Sequence, residues 1–419
     1  MKKYKIFILL LLLIIFINPS ATLALENNIC TNPTYKDNQI LVKFKKKYSD
    51  STIRNFASQY NLAYSPNENS DIRNGYFLFN LQDDKLVSDT IITLQKDSKV
   101  KKAQPNYLFQ TAKKKVKSNQ DKYFNREWWL YNNGRLGAAG SDLYVLPVWN
   151  QEKTNWPGIV IGIIDSGVNP RHTDLKKNIV RGYDFVHNTS KKMADKEGHG
   201  SFIAGLIASQ VNNRKGIAGL SRQNLLKIMP LKFDFSTDGA IQAIVFAQNK
   251  GVRILNTSWG TDEYDPALYE AIKSYNGLVV AAAGNDGLEH TDTHHFYPCD
   301  FDLDNILCVG ASSETDQITS YSDWGSSVDI LSPGGENAPL LSLDVKTNHY
   351  AEGMGTSFST GLASGAAGLV LSANPSISNL EIKNVILLNA RKKDELIGKV
   401  TSSGILNIKA AVNKENSNY

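Results

Sequence analysis

Three short segments carry residue types that together can cleave an acyl bond. They are Ile161-Gly162-Ile163-Ile164-Asp165-Ser166-Gly167, Gly198-His199-Gly200-Ser201 and Gly355-Thr356-Ser357-Phe358-Ser359. They supply a carboxylate, an imidazole and a hydroxyl, in the chain order Asp, His, Ser. A serine hydroxyl is a poor nucleophile near neutral pH. It needs a base within hydrogen-bond reach, and the base needs a partner that fixes its tautomer and stabilises the imidazolium. Asp165, His199 and Ser357 are therefore the candidate catalytic group. Gly198 and Gly200 flank the histidine and permit close backbone approach at a helix start. Ser357 opens an apolar stretch, Phe358 to Ser372, expected to be a helix. The N-terminus of such a helix presents N–H groups and a positive dipole end to a developing oxyanion. A serine that merely capped a buried helix would explain Ser357 but not the other two segments.

The order Asp, His, Ser is that of the subtilisin triad, and the three motifs resemble those of the subtilisin family of serine proteases. Two further segments, Ala281-Ala282-Ala283-Gly284-Asn285 and Leu255-Asn256-Thr257-Ser258-Trp259-Gly260, extend the resemblance over most of the chain. It implies that Asn285 donates to the oxyanion, and that substrate pairs as an added strand with Ser258, Trp259 and Gly260. Ala283 and Gly284 would form the opposite wall of the pocket for P1, the residue before the scissile bond. Trp259 stands where a small aliphatic residue is common in the family, so selectivity is expected to differ. The loop Glu289 to Tyr297, with His290, His294 and His295, falls where the family builds the pocket base. Those histidines suggest a polar or acid-accepting pocket, or a metal site. The resemblance also implies structural calcium, held by Asp174 and a loop supplying Val211, Asn213, Lys215 and Ile217. Hard oxygen donors suit that ion, although Arg214 and Lys215 add unfavourable charge nearby.

Around these motifs, 419 residues with 42% hydrophobic and 21% charged content describe an ordinary globular chain of two or three domains. Lys2, Lys3 and Lys5 precede an apolar run, Ile6 to Ile17, and small residues around Ser20 to Ala24. That pattern is a secretory signal peptide over 1–24, too short to span a membrane. Secretion without an anchor is expected. Cys30 lacks the small neighbours of a lipid-attachment site, and Glu415 to Tyr419 shows neither an apolar tail nor a sorting motif. Three cysteines make no disulfide framework; Cys299 and Cys308 could pair or remain buried thiols. The net charge of +5 is small, and Lys113-Lys114-Lys115-Val116-Lys117 reads as a solvated linker. With no aromatic platform beside it, nucleic-acid binding is not expected.

The chain organises as a small α+β unit over 25–110, a cleavable linker over 111–127 and a larger α/β domain over 128–413. In the first, strands at Ile40–Phe44, Tyr76–Leu81 and Val100–Phe109 alternate with helices at Ser51–Tyr60 and Leu86–Lys96. This resembles the inhibitor-type propeptide of subtilisins, which implies a folding aid and temporary inhibitor. In the larger domain, apolar runs at Ile159–Ile164, Leu226–Leu231, Ile254–Leu255, Leu278–Ala283 and Ile306–Val309 alternate with helical stretches. Such runs describe a parallel sheet covered on both faces, with the site beyond the carboxyl ends of its strands. The expected activity is that of a secreted, self-processing endopeptidase acting on peptide or protein substrates, either degradative or dedicated to removing the leader of a lantibiotic-type peptide. A catalytically silent binding protein and an esterase or transferase using the same acyl chemistry are the competing classes.

Overall fold

Ile159-Val160-Ile161-Gly162-Ile163-Ile164-Asp165 has no polar side chain before its last residue, so as a strand it must be covered on both faces. The computed structural model, which describes residues 35–64, 71–72, 76–82, 85–107, 121–153, 155–191 and 193–414, places it inside a sheet, between two parallel neighbours. The signal segment, Cys30, residues 111–120 of the linker and Glu415 to Tyr419 lie outside the described residues. The chain divides into two units, Met1–Val116 and Lys117–Tyr419.

In the first unit, β1 (Tyr35–Phe44) lies between β2 (Tyr76–Leu81) and β3 (Val100–Tyr107), antiparallel to both. Alternation along β1 buries Ile40, Val42 and Phe44 against α1 (Asp50–Gln59) and α2 (Val87–Leu94). Ser49 caps α1 by accepting from Thr52 N.

In the second unit a nine-stranded sheet carries six parallel central strands. These are β4 (Ile159–Asp165), β5 (Leu226–Lys232), β6 (Ile254–Thr257), β7 (Leu278–Ala282), β8 (Ile306–Ser312) and β9 (Ile330–Pro333). Their spatial order is β5-β4-β6-β7-β8-β9, with short strands at both edges. The chain runs outward from β4 to β5 and then returns to β6 on the other side. That reversal opens a crevice at the carboxyl ends of β4 and β6. β10 (Leu340–Leu343) and β11 (Tyr350–Gly353) form a separate hairpin.

Two helices aim the chemistry into this crevice. α3 (His199–Ala208) and α4 (Thr356–Ala373) both begin there. α4 is buried almost throughout, and its small residues let neighbours approach. A Cβ added at Gly365 would lie 2.5 Å from Leu220, and one at Gly368 would lie 2.7 Å from Leu226. Phe202 of α3 stacks on Phe358 of α4 at 4.1 Å, joining the two helix starts.

Two features depart from, or decide between, the readings of the sequence. The linker expected to run to residue 127 is anchored sooner, because Asp121 accepts from Asn212 N and Arg214 N. Glu127, fully buried, accepts from Ala218 N with both oxygens at 3.0 Å. Cys299 and Cys308 form a disulfide with a Cα–Cα distance of 5.1 Å, tying the loop before β8 to that strand.

Candidate active site

Asp165 ends β4, fully buried, and its carboxylate oxygens both lie 3.0 Å from His199 Nδ1. Ser166 N donates to Asp165 Oδ1 at 2.7 Å. Ser166 Oγ lies 3.1 Å from Asp165 Oδ1 and 3.0 Å from Asp195 Oδ1, so one proton serves two carboxylates. Asp195 in turn accepts from Glu197 N, Gly198 N and Ser201 N, each at 2.9 Å, and so caps the helix that begins with His199. Gly200 is required by close approach: a Cβ there would lie 2.1 Å from the Gly167 carbonyl oxygen. Burial works to lower the His199 pKa. The hydrogen bond and charge of Asp165, joined by Asp195 and Glu197, outweigh it and raise the value above the ordinary imidazole range.

Ser357 sits in the first turn of α4, where free N–H groups gather. Its Oγ donates to the Ser258 carbonyl at 3.1 Å rather than to His199. The serine's backbone is fixed by a relay of three hydrogen bonds. Ser364 Oγ donates to Asn256 Oδ1, Asn256 Nδ2 to Ser258 Oγ, and Ser258 Oγ to the Ser357 carbonyl. Asn285 follows β7, and its Oδ1 accepts from Thr356 N at 2.9 Å and Thr356 Oγ1 at 3.0 Å. With the oxygen held, the amide N–H₂ is the end left for a substrate oxygen. Asp195, Asn256 and Thr356 were not found from sequence, because a residue that only holds another carries no spacing signal.

Ser258, Trp259 and Gly260 leave β6 as one wall of a slot, and Ala283 and Gly284 leave β7 as the other. Trp259 does not spend its indole on the slot. Nε1 donates to the Ile164 carbonyl at 2.8 Å and the ring packs on Phe233. The histidine-rich loop closes the base. His290 is buried, with Nδ1 2.8 Å from Asp300 Oδ1 and Nε2 2.9 Å from the Ala283 carbonyl. Burial opposes its charge, yet Asp300 and Asp323 push its pKa up to about 9. His290, His294 and Asp323 come within metal-ligand reach of one another. Because both His290 nitrogens donate elsewhere, that group has no free imidazole lone pair from it. Asp323 Oδ2 and His294 Nε2 are buried, 3.6 Å apart, with no hydrogen-bond partner among the described residues. His295 stacks on Tyr297 and lies 3.5 Å from Asp300. Burial works against the charge of Asp300 and Asp323, but the His290 hydrogen bond to Asp300, the Asp286 and Leu288 N–H groups on Asp323, and the nearby His290 charge hold both below the usual carboxylate range.

The loop expected to hold calcium is organised by two carboxylates. Asp174 accepts from Asn213 Nδ2 (2.5 Å), Ile217 N (3.0 Å) and Tyr350 Oη (3.1 Å). Burial, with the negative charge of Asp174, pushes Asp121 up to about 6, and burial raises Asp174 too. The side chains of Arg214 and Lys215 are exposed.

The model of the subtilase family matches residues 157–408. A thermophilic serine proteinase of Bacillus sp. strain AK1 is 29% identical over 366 residues, which cover 85% of this chain and 83% of that protein. Thermitase of Thermoactinomyces vulgaris is 34% identical over 231 residues, 53% of this chain and 78% of that protein. Among solved structures, a protease of Pseudoalteromonas arctica shares the fold, with a TM-score of 0.60 at 24% identity over 71% of this chain and 99% of its own. The chain belongs to the subtilase family and is a subtilisin-type serine endopeptidase.

Proposed function

We propose that Asp165, His199 and Ser357 form the catalytic triad of a secreted, self-processing endopeptidase. The observation that carries this is the His199–Asp165 pair, held at 3.0 Å where β4 and α3 meet the start of α4. His199 Nε2 takes the proton of Ser357 Oγ as it attacks the substrate carbonyl. Asp165 stabilises the imidazolium that results, and the proton then passes to the leaving amine. Asn285 Nδ2 and the α4 N-terminus receive the oxyanion. Substrate lies extended between Ser258–Gly260 and Ala283–Gly284, paired through its main chain.

Residues 25–110 act as a propeptide that assists folding and blocks the site until removed. The cut falls between Gln110 and Asp121, since Asp121 already belongs to the larger unit. The signal-like segment over 1–24 directs export. A slot closed at its base supports the narrower alternative, a protease dedicated to maturing a leader-bearing peptide.

Calcium fits the loop at Asp174. The donors are hard oxygens, burial raises the proton affinity of both carboxylates, and the charge of Asp174 adds to the rise at Asp121. Asp174, Asn213 and the carbonyls of Val211, Lys215 and Ile217, with Asp121, would hold the ion. It would neutralise that charge and stiffen the segment after α3.

Ser357→Ala is expected to abolish peptide hydrolysis, fluorophosphonate labelling and propeptide removal, while wild-type enzyme begins N-terminally between residues 110 and 121. A purified S357A protein that still processes itself would overturn the assignment.

A further inference from the structure

The slot between Gly260 and Gly284 has a ring lying across it. A Cβ added at Gly260 would stand 2.5 Å from Phe296 Cε1 and 2.7 Å from its Cζ. One added at Gly284 would stand 3.3 Å from Phe296 Cγ. The same phenyl group therefore contacts both walls at the level where a substrate side chain would enter. Gly260 is needed for the ring to fit, whereas a Cβ at Gly284 would first meet Asp323 Oδ2, at 2.0 Å.

The backbone that carries the ring is fixed from three sides. Phe296 N donates to Asp300 Oδ2 at 2.7 Å, and Asp300 N returns to the Phe296 carbonyl at 3.1 Å. Tyr297 N and Thr261 N each donate to the other's carbonyl, at 2.7 and 2.9 Å, lashing the base of the slot to its first wall. Asp300 is itself held by His290 and Ser327, and Cys299 is bonded to Cys308 of β8. Shifting the backbone that carries the ring would break several of these links together.

We propose that Phe296 floors the P1 pocket and restricts this enzyme to small P1 side chains, of about the size of alanine or serine. This rests on the proposed triad and deepens it by naming the substrate class. A large P1 group would have to displace a ring pinned by its own backbone, and overfilling a packed site of this kind is unfavourable. A small group needs only the space above the ring.

The test is a set of fluorogenic peptides that differ only in P1, as Ala, Leu or Phe, cleaved by mature wild-type, Phe296→Gly and Phe296→Leu enzymes. Active sites are counted by fluorophosphonate titration. Wild type is expected to favour Ala over Phe by at least about tenfold in kcat/KM. In F296G the Phe-to-Ala ratio should rise by at least about tenfold, with F296L, which keeps more of the buried volume, intermediate. Equal handling of Ala and Phe by wild type, or a ratio unmoved in either variant, overturns the proposal and leaves the protease assignment standing. Absence of both labelling and cleavage would instead remove the triad, and this inference with it.

Discussion

In the proposed mechanism Asn285 enters the reaction with its amide already oriented by Thr356, so little reorganisation remains when charge develops. Asn285→Ala is expected to reduce kcat by roughly 10²–10³-fold with a far smaller change in KM, because the oxyanion exists only beyond the ground state. A loss carried mainly in KM would place Asn285 in ordinary substrate binding. His199 must be neutral to act as base, so activity falls as pH drops through its raised pKa. Glu197 is exposed and adds to that rise. Glu197→Gln should therefore move the acid limb of kcat/KM to lower pH by a few tenths of a unit, an effect that fades in salt. An unmoved limb at low ionic strength would show that solvent already screens Glu197.

At the scale of elements, the sequence made visible those whose signal is local. The unbroken apolar runs of β4, β5 and β7 announced strands covered on both faces, and Gly198-His199-Gly200 announced a helix start where backbone meets backbone. Other features depend on partners distant in sequence. Asp121 reads as linker until the loop around Asn212 supplies its donors, and Trp259 reads as pocket lining until the Ile164 carbonyl claims its indole. Phe296 sits in a loop without periodicity, so nothing in its neighbours tells which way its ring turns. The calcium loop gives the prediction proper to this scale. Asp121 holds its proton to about pH 6 in the fold, above the unfolded value of roughly 4. Between those values the folded state binds more protons, so stability falls as pH rises through that window. Calcium needs the ionised form and acts against that loss. At a hundredfold excess over its Kd, calcium should raise Tm by roughly 5 °C at pH 7.5 and by much less at pH 4.5. In Asp174→Asn the difference between the two pH values should vanish. A calcium effect that is equal at both, or absent, would remove the ion from this loop.

Seen as a whole molecule, the enzyme divides its labour between the sheet and what is fastened to its edge of loops. Strands β4, β6 and β7 fix Asp165, the Ser258–Gly260 wall and Asn285, and α3 and α4 bring His199 and Ser357 to them. The selecting surface is built differently, from a loop tied down by hydrogen bonds and one disulfide. Thiols remain reduced in the cytosol and pair in oxidising compartments. On the export proposed above, Cys299 and Cys308 join only after the chain has left the cytosol. Catalytic geometry can form wherever the domain folds, whereas the fastening behind Phe296 is completed later and elsewhere. If both proposals hold, the disulfide is a record of export placed behind the loop that selects substrate.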